Sequence, residues 1–156
     1  MSEVKTIAIG ITGGIAAYKV TELVSRLVKK GFQIEVMMTE AATKLVAPLT
    51  FSTLSGNPVR CEMFQEKVGE RVEHISIAER AGLLVIVPAT ANIIGKAANG
   101  IADDLLSTTI MAAQSQVMYF PAMNTRMWEH PVQQENVAKL RSLGFTVVDP
   151  DEGFLA

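Results

Sequence analysis

The sequence predicts an α/β fold, a doubly wound parallel sheet three layers deep. Three observations lead there. Short, near-continuous apolar runs at 6–11, 83–87 and 117–120 read as strands covered on both faces. Glycine, proline, threonine or asparagine follows each run, and then a helical pattern begins. The alternation βαβ…αβ…αβαβ continues to the end without an internal repeat or low-complexity tract.

In chain order, the strand 6–11 passes through the turn Thr12-Gly13-Gly14 into a helix reaching about residue 30. Ile15, Val20, Leu23, Val24, Leu27 and Val28 form its apolar face, and Glu22 and Arg26 form an i,i+4 pair opposite. Lys29 and Lys30 suit the negative end of its dipole and Gly31 the position just past it, before a second strand at 32–38. A short helix at 39–46 is expected to end at Pro48, with another at 50–54 closed by Ser55-Gly56-Asn57-Pro58. Residues 59–64 read as a short edge strand, 65–73 as a charged exposed loop, and 74–80 as a helical turn or two. After the strand 83–87 comes a helix at 90–98, and Asp103 is placed to cap the next, 104–113. The strand 117–120 stops at Pro121, which has no amide hydrogen for a ladder. A loop at 121–130, a helix from Pro131 to 143 closed by Gly144, and a strand at 145–148 complete the pattern.

The chain of 156 residues is long enough for one domain with a real core. A hydrophobic fraction of 49% and a mean hydropathy of +0.27 favour a homo-oligomer that hides apolar surface. The net charge is −2 with scattered Lys and Arg, so neither a nucleic-acid footprint nor a polybasic membrane patch is present. Cys61 stands alone, which excludes a disulfide framework and suits a cytoplasmic setting; it reads as an inert, half-buried thiol. Glycines interrupt the apolar stretch 7–17, so it reads as strand, turn and helix rather than a signal core.

Ligands of open α/β sheets bind beyond the carboxyl ends of the strands. Four such ends carry candidates. Thr12, Gly13 and Gly14 combine close backbone approach with the free amides of a helix start, which suits a phosphate, although a plain tight turn uses the same residues. Thr39 offers a hydroxyl to that phosphate or caps the next helix. No acidic residue ends the second strand, since Glu35 lies within it, so a mononucleotide fits better than NAD. In Pro88-Ala89-Thr90-Ala91-Asn92, small residues admit a flat ring while Thr90 and Asn92 offer hydrogen bonds; alternatively Thr90 is simply an N-cap. Ala122, Met123, Asn124, Arg126 and Trp128 follow the fourth strand, where apolar bulk around a few polar groups suits a small-molecule pocket, or the loop tucks Trp128 into the core. His74 is a candidate base or a structural histidine, and His130, beside Pro131, is less promising. No metal-ligand spacing and no Ser/His/Asp set is present.

These residues carry a resemblance. Gly10-Ile11-Thr12-Gly13-Gly14-Ile15-Ala16-Ala17-Tyr18-Lys19, His74-Ile75, Pro88-Ala89-Thr90-Ala91-Asn92, Asn99-Gly100-Ile101-Ala102-Asp103-Asp104-Leu105-Leu106 and Pro121-Ala122-Met123-Asn124-Thr125-Arg126-Met127-Trp128 resemble the flavin-containing cysteine decarboxylases. Within that family the chain is most similar to the branch that converts 4′-phosphopantothenoylcysteine towards 4′-phosphopantetheine in coenzyme A biosynthesis. The resemblance implies a Rossmann-like fold of flavoprotein type, with FMN bound between subunits of a trimer that often assembles further into a dodecamer. It implies that the glycine turn and Thr39 hold the phosphate and that 88–92 hold the flavin. His74 matches the active-site histidine, and Asn124, helped by the backbone at Ala122 and Met123, matches the group that holds the substrate carboxylate. It also implies a phosphopantothenate–cysteine ligase, fused or separate.

The family pattern continues past Gly153-Phe154-Leu155-Ala156 with a cysteine and a glycine-rich flap, so the 1–156 domain is expected to lack that flap. Two rival readings are a flavin prenyltransferase of the same fold and a non-catalytic flavoprotein subunit. The presence of both His74 and Asn124 weighs against each.

Overall fold

The computed structural model describes residues 5–64 and 73–151, without the side chains of Glu73 and His74. The charged segment expected as an exposed loop therefore lies, apart from Glu73, outside the described residues, as does the tail Gly153–Ala156. Five strands form one parallel sheet: β1 (Thr6–Ile11), β2 (Gln33–Met38), β3 (Leu83–Ala89), β4 (Gln116–Pro121) and β5 (Thr146–Val147). Their order is β2-β1-β3-β4-β5. The chain steps from β1 to β2 on one side and returns to β3 on the other, so the direction of winding reverses between β1 and β3.

Side-chain alternation distributes the sheet between two cores. Ile7, Ile9 and Ile11 enter one cluster with Val20, Val24, Ile34, Val36 and Phe51, beneath helices α1 (Val20–Lys29) and α3 (Pro48–Ser55). Ala8 faces the other cluster, which holds Leu84, Ile86, Val117 and Tyr119 beneath four helices. These are α4 (Glu73–Arg80), α5 (Ala91–Ala98), α6 (Leu105–Ala112) and α8 (Pro131–Ser142). Complete burial of a side chain such as Leu84 or Ile86 stabilises the fold by about 1.5–3 kcal/mol. Two short helices, α2 (Glu40–Thr43) and α7 (Thr125–Trp128), sit just beyond β2 and β4.

Several local expectations are corrected. The first crossover opens as a 3₁₀ helix, Ile15–Lys19, before becoming α1. Its tighter turn takes Ile15 off the apolar stripe and leaves it 47% exposed. Pro48 does not end a helix; it occupies the first turn of α3, where its missing amide costs no hydrogen bond. Residues 59–64 form no strand, because only Arg60 bridges Met37. Asp104, not Asp103, caps α6: its carboxylate accepts Ser107 N–H at 2.7 Å, completing a capping box. Asp103 instead meets Lys96 at 2.7 Å. Pro88 and Pro121 lie within the ends of β3 and β4, where the pairing shifts register between Ile86 and Ala89. Such an irregularity tolerates a residue with no amide hydrogen.

Candidate functional site

Past the ladders, each strand end is tied to its neighbour, and these ties build the site. Thr39 N–H donates to Ile11 O at 3.0 Å, joining the end of β2 to β1. Thr12 Oγ1 donates to Pro88 O at 2.5 Å and accepts Thr90 N–H at 3.1 Å, joining β1 to β3 across the reversal of winding. Ala122 N–H donates to Ala89 O at 3.2 Å, joining β3 to β4. Thr12, Thr39, the 88–92 segment and the 122–124 segment therefore share one edge.

The glycines of the first turn are demanded by packing. A Cβ on Gly13 would fall 2.5 Å from Ala41 Cβ, and one on Gly14 would fall 3.3 Å from Pro88 Cγ. The turn thus sits flush between the α2 and β3 ends, and the 3₁₀ helix beginning at Ile15 presents its first amides without intrahelical acceptors. Thr39 caps α2, its oxygen accepting Ala42 N–H at 3.2 Å. Thr90 caps α5 in the same way from Ile93 N–H at 3.4 Å. In both, the hydroxyl hydrogen is still available to a ligand. Both alternatives raised for these threonines, cap and donor, are compatible on chemical grounds. Asn92 is exposed one residue into α5, while Pro88 and Ala89 are buried.

The fourth strand end divides its residues. Met123 and Trp128 pack onto the larger core, as the tucked-loop alternative requires. Asn124 is exposed and caps α7, with its side-chain oxygen accepting Arg126 N–H at 2.8 Å. That bond uses only the oxygen end of the amide, so the cap leaves the NH₂ end unengaged. His74 belongs to the first turn of α4. His130 caps α8 through Nδ1, which accepts Val132 N–H at 3.2 Å, so it has a structural role.

An open cavity of about 670 Å³ lies beside Thr39. Thr43 and Cys61 line it on the β2 side, and Asp104, Leu105 and Leu106 on the α6 side. Sequence reasoning missed Thr43, gave the α6 start no part in the site, and read Cys61 only as an inert, half-buried thiol. The Asp-Asp pair before an apolar run was the available signal for α6. Burial, and then the nearby Glu62 carboxylate, pushes the Cys61 thiol up, so it is held protonated at neutral pH. The Asp103 hydrogen bond pushes the Lys96 ammonium up, and Lys96 in turn lowers the Asp103 carboxyl. That pair joins the last turn of α5 to the start of α6, beside the cavity wall. Among the described residues, no His/Cys/Asp/Glu group is arranged to hold a metal ion, and no helix is long and apolar enough to cross a membrane.

Comparison with known proteins places this geometry. The coenzyme A biosynthesis bifunctional protein CoaBC of Bacillus subtilis is 44% identical over 152 residues, 97% of this chain but 37% of that protein. The chain thus spans little more than a third of this bifunctional relative. A probable phosphopantothenoylcysteine decarboxylase of Streptococcus mutans is 38% identical over 154 residues, covering 97% of this chain and 86% of that protein. Among solved structures, the FMN-dependent cysteine decarboxylase SpaF superposes with a TM-score of 0.90 at 36% identity, covering 97% of this chain and 86% of that one. The family model described as Flavoprotein matches residues 1–156, and with a five-stranded parallel Rossmann-like sheet of the same shape the chain belongs to that family.

Proposed function

We propose that the chain binds FMN at the carboxyl edge of its sheet and decarboxylates the cysteine moiety of 4′-phosphopantothenoylcysteine, towards 4′-phosphopantetheine in coenzyme A biosynthesis. The observation that carries this reading is the orientation of Asn124. A carboxylate only accepts hydrogen bonds, and the Arg126 contact leaves the donor end of the exposed Asn124 amide unengaged by the cap. The names of the relatives from Bacillus subtilis and Streptococcus mutans support the substrate.

The residues present fit a flavin mononucleotide. The starts of the 3₁₀ helix, α2 and α5 supply amides at one edge, and Thr39 supplies a hydroxyl hydrogen, as a phosphate requires. Pro88, Ala89 and Ala91 are small enough that a flat ring would lie close to the backbone, with Thr90 and Asn92 beside it. Bound FMN would supply the two-electron oxidation of the cysteine CH₂–SH to CH=S, which sets a thiocarbonyl β to the carboxylate. His74 would take the thiol proton. Asn124, with the backbone of Ala122 and Met123, would orient the carboxylate without neutralising it, so that it leaves as carbon dioxide with its electron pair drawn onto sulfur.

We extend the proposal to assembly and setting. Leu49, Met111 and Leu143 are 74%, 58% and 60% exposed, which supports a homo-oligomer, trimeric or dodecameric, with the site between subunits. A phosphopantothenate–cysteine ligase, fused or separate, is the proposed functional partner, and the unpaired Cys61 suits the cytoplasm.

The test is an absorbance spectrum, then carbon dioxide and product mass after addition of 4′-phosphopantothenoylcysteine. Failure to take up FMN would end the flavin reading, and FMN uptake without carbon dioxide would end the decarboxylase reading. His74→Asn should keep FMN and lose about 10²–10⁴-fold in turnover, the usual contribution of a positioned base. Light scattering that gives monomers at full FMN occupancy would remove the assembly.

A further inference from the structure

We propose that Thr12 is a positioning residue for the 88–90 segment and not a phosphate ligand: its buried hydroxyl ties the end of β1 to the end of β3, the segment proposed to face the flavin ring. The proposal rests on the flavin reading above. A hydroxyl has one hydrogen to donate and two lone pairs. The Thr12 hydrogen goes to Pro88 O at 2.5 Å, and one lone pair accepts Thr90 N–H at 3.1 Å. Only a lone pair remains, and a phosphate oxygen ionised at neutral pH has no hydrogen to give it. Thr12 is also only 2% exposed.

The bracket sits where the ladder has stopped. Pairing of β1 with β3 ends at Gly10 and Ile86. Pairing of β3 with β4 then shifts register before Ala89, and Pro88 has no amide hydrogen to offer either side. The segment that would face the ring is therefore tied on one flank by Thr12 and on the other by Ala122 N–H to Ala89 O at 3.2 Å. Gly14 lets the turn close onto Pro88, since an added Cβ would stand 3.3 Å from its ring. Residues 76 positions apart in sequence thus set the width of the crevice at the reversal of winding.

FMN and riboflavin share the ring and differ by the phosphate, so the two together separate a bracket from a phosphate ligand. Both are titrated into the wild-type chain and into Thr12→Val, Thr12→Cys and Thr12→Ser. Loss of the bracket leaves buried polar groups unpaired. Thr12→Val should therefore weaken FMN and riboflavin by the same factor, about tenfold. The visible band of the flavin that still binds should shift as the 88–90 segment moves. Thr12→Ser keeps the hydroxyl and should restore both affinities and the band. Thr12→Cys, a weak donor of similar size, should follow Thr12→Val if the valine variant does not fold. A fall in FMN affinity alone would make Thr12 a phosphate ligand and overturn the proposal. So would unchanged affinities, or an equal fall with an unshifted band, which marks general destabilisation. A wild-type chain that binds neither ligand would sink the flavin reading itself.

Discussion

Asn124 caps α7 through its side-chain oxygen, 2.8 Å from the backbone nitrogen of Arg126, so one end of the amide serves the fold and the other is left for a ligand. Aspartate would preserve the first role, because it is an equally good N-cap. It would abolish the second, since it has no hydrogen to donate and sets a negative charge against the substrate carboxylate. Asn124→Asp is expected to keep the wild-type unfolding midpoint and FMN content while losing more than about 100-fold in turnover. Wild-type carbon dioxide release would remove Asn124 from the mechanism, and a large drop in midpoint would show that the cap was misread.

The features legible in the sequence are those whose cause is local. The 88–92 helix start, the helix after Pro131 and the winding of the sheet all follow from short-range patterns and turn residues. Thr90 could be read as a cap from its own neighbours. Thr12 could not be read as a bracket, because its partners lie on β3 and nothing near it in the chain announces them. Asp103 and Asp104 are adjacent carboxylates, both within reach of Lys96, and only the fold shows that Asp103 makes the nearer ion pair while Asp104 takes the cap. Cys61 was not connected to the site for a related reason. Its segment pairs with β2 at Arg60 alone and then turns onto the cavity rather than running on as a strand.

The Lys96–Asp103 pair predicts a pH signature. The Lys96 ammonium is raised by its Asp103 hydrogen bond, so its contribution is complete below the ordinary lysine range and is lost as pH rises through the raised value. The Asp103 carboxyl is lowered by Lys96, so its contribution is complete above the ordinary carboxylate range and is lost as pH falls through the lowered value. Lys96→Met should therefore lower the unfolding midpoint by a constant amount across neutral pH. The deficit should shrink only in strong acid and strong alkali. A deficit that varies steeply near neutrality would mean that another titrating group sets the stability of this corner.

Tyr119 predicts a substitution that does not destabilise. Its side chain is fully buried, its ring meets Phe145 edge to face at 6.1 Å, and its hydroxyl has no hydrogen-bond partner among the described residues. Burial accordingly pushes the phenol far above its usual range. Phenylalanine keeps the ring contact and removes the unpaired oxygen, so Tyr119→Phe should leave stability unchanged or raise it by about 1 kcal/mol in urea unfolding. A loss of similar size would mean that the hydroxyl has a partner in the assembled protein.

Cys61 supplies a chemical probe of where FMN sits. The thiol lines the cavity that also contains Thr39 and Thr43, and burial followed by the Glu62 carboxylate raises it. Only the thiolate attacks an alkylating reagent, so a raised thiol reacts slowly at neutral pH. The reaction with iodoacetamide should be slower than that of a free cysteine at pH 7, and it should keep accelerating as pH passes the ordinary thiol range. Thr39 is a proposed phosphate donor on the same cavity wall, so FMN should slow the reaction further by occupying the approach to Cys61. Riboflavin, which lacks the phosphate, should protect less at equal occupancy. A fast reaction at pH 7 would contradict the half-buried setting of the thiol, and equal rates with and without bound FMN would place the phosphate away from Thr39.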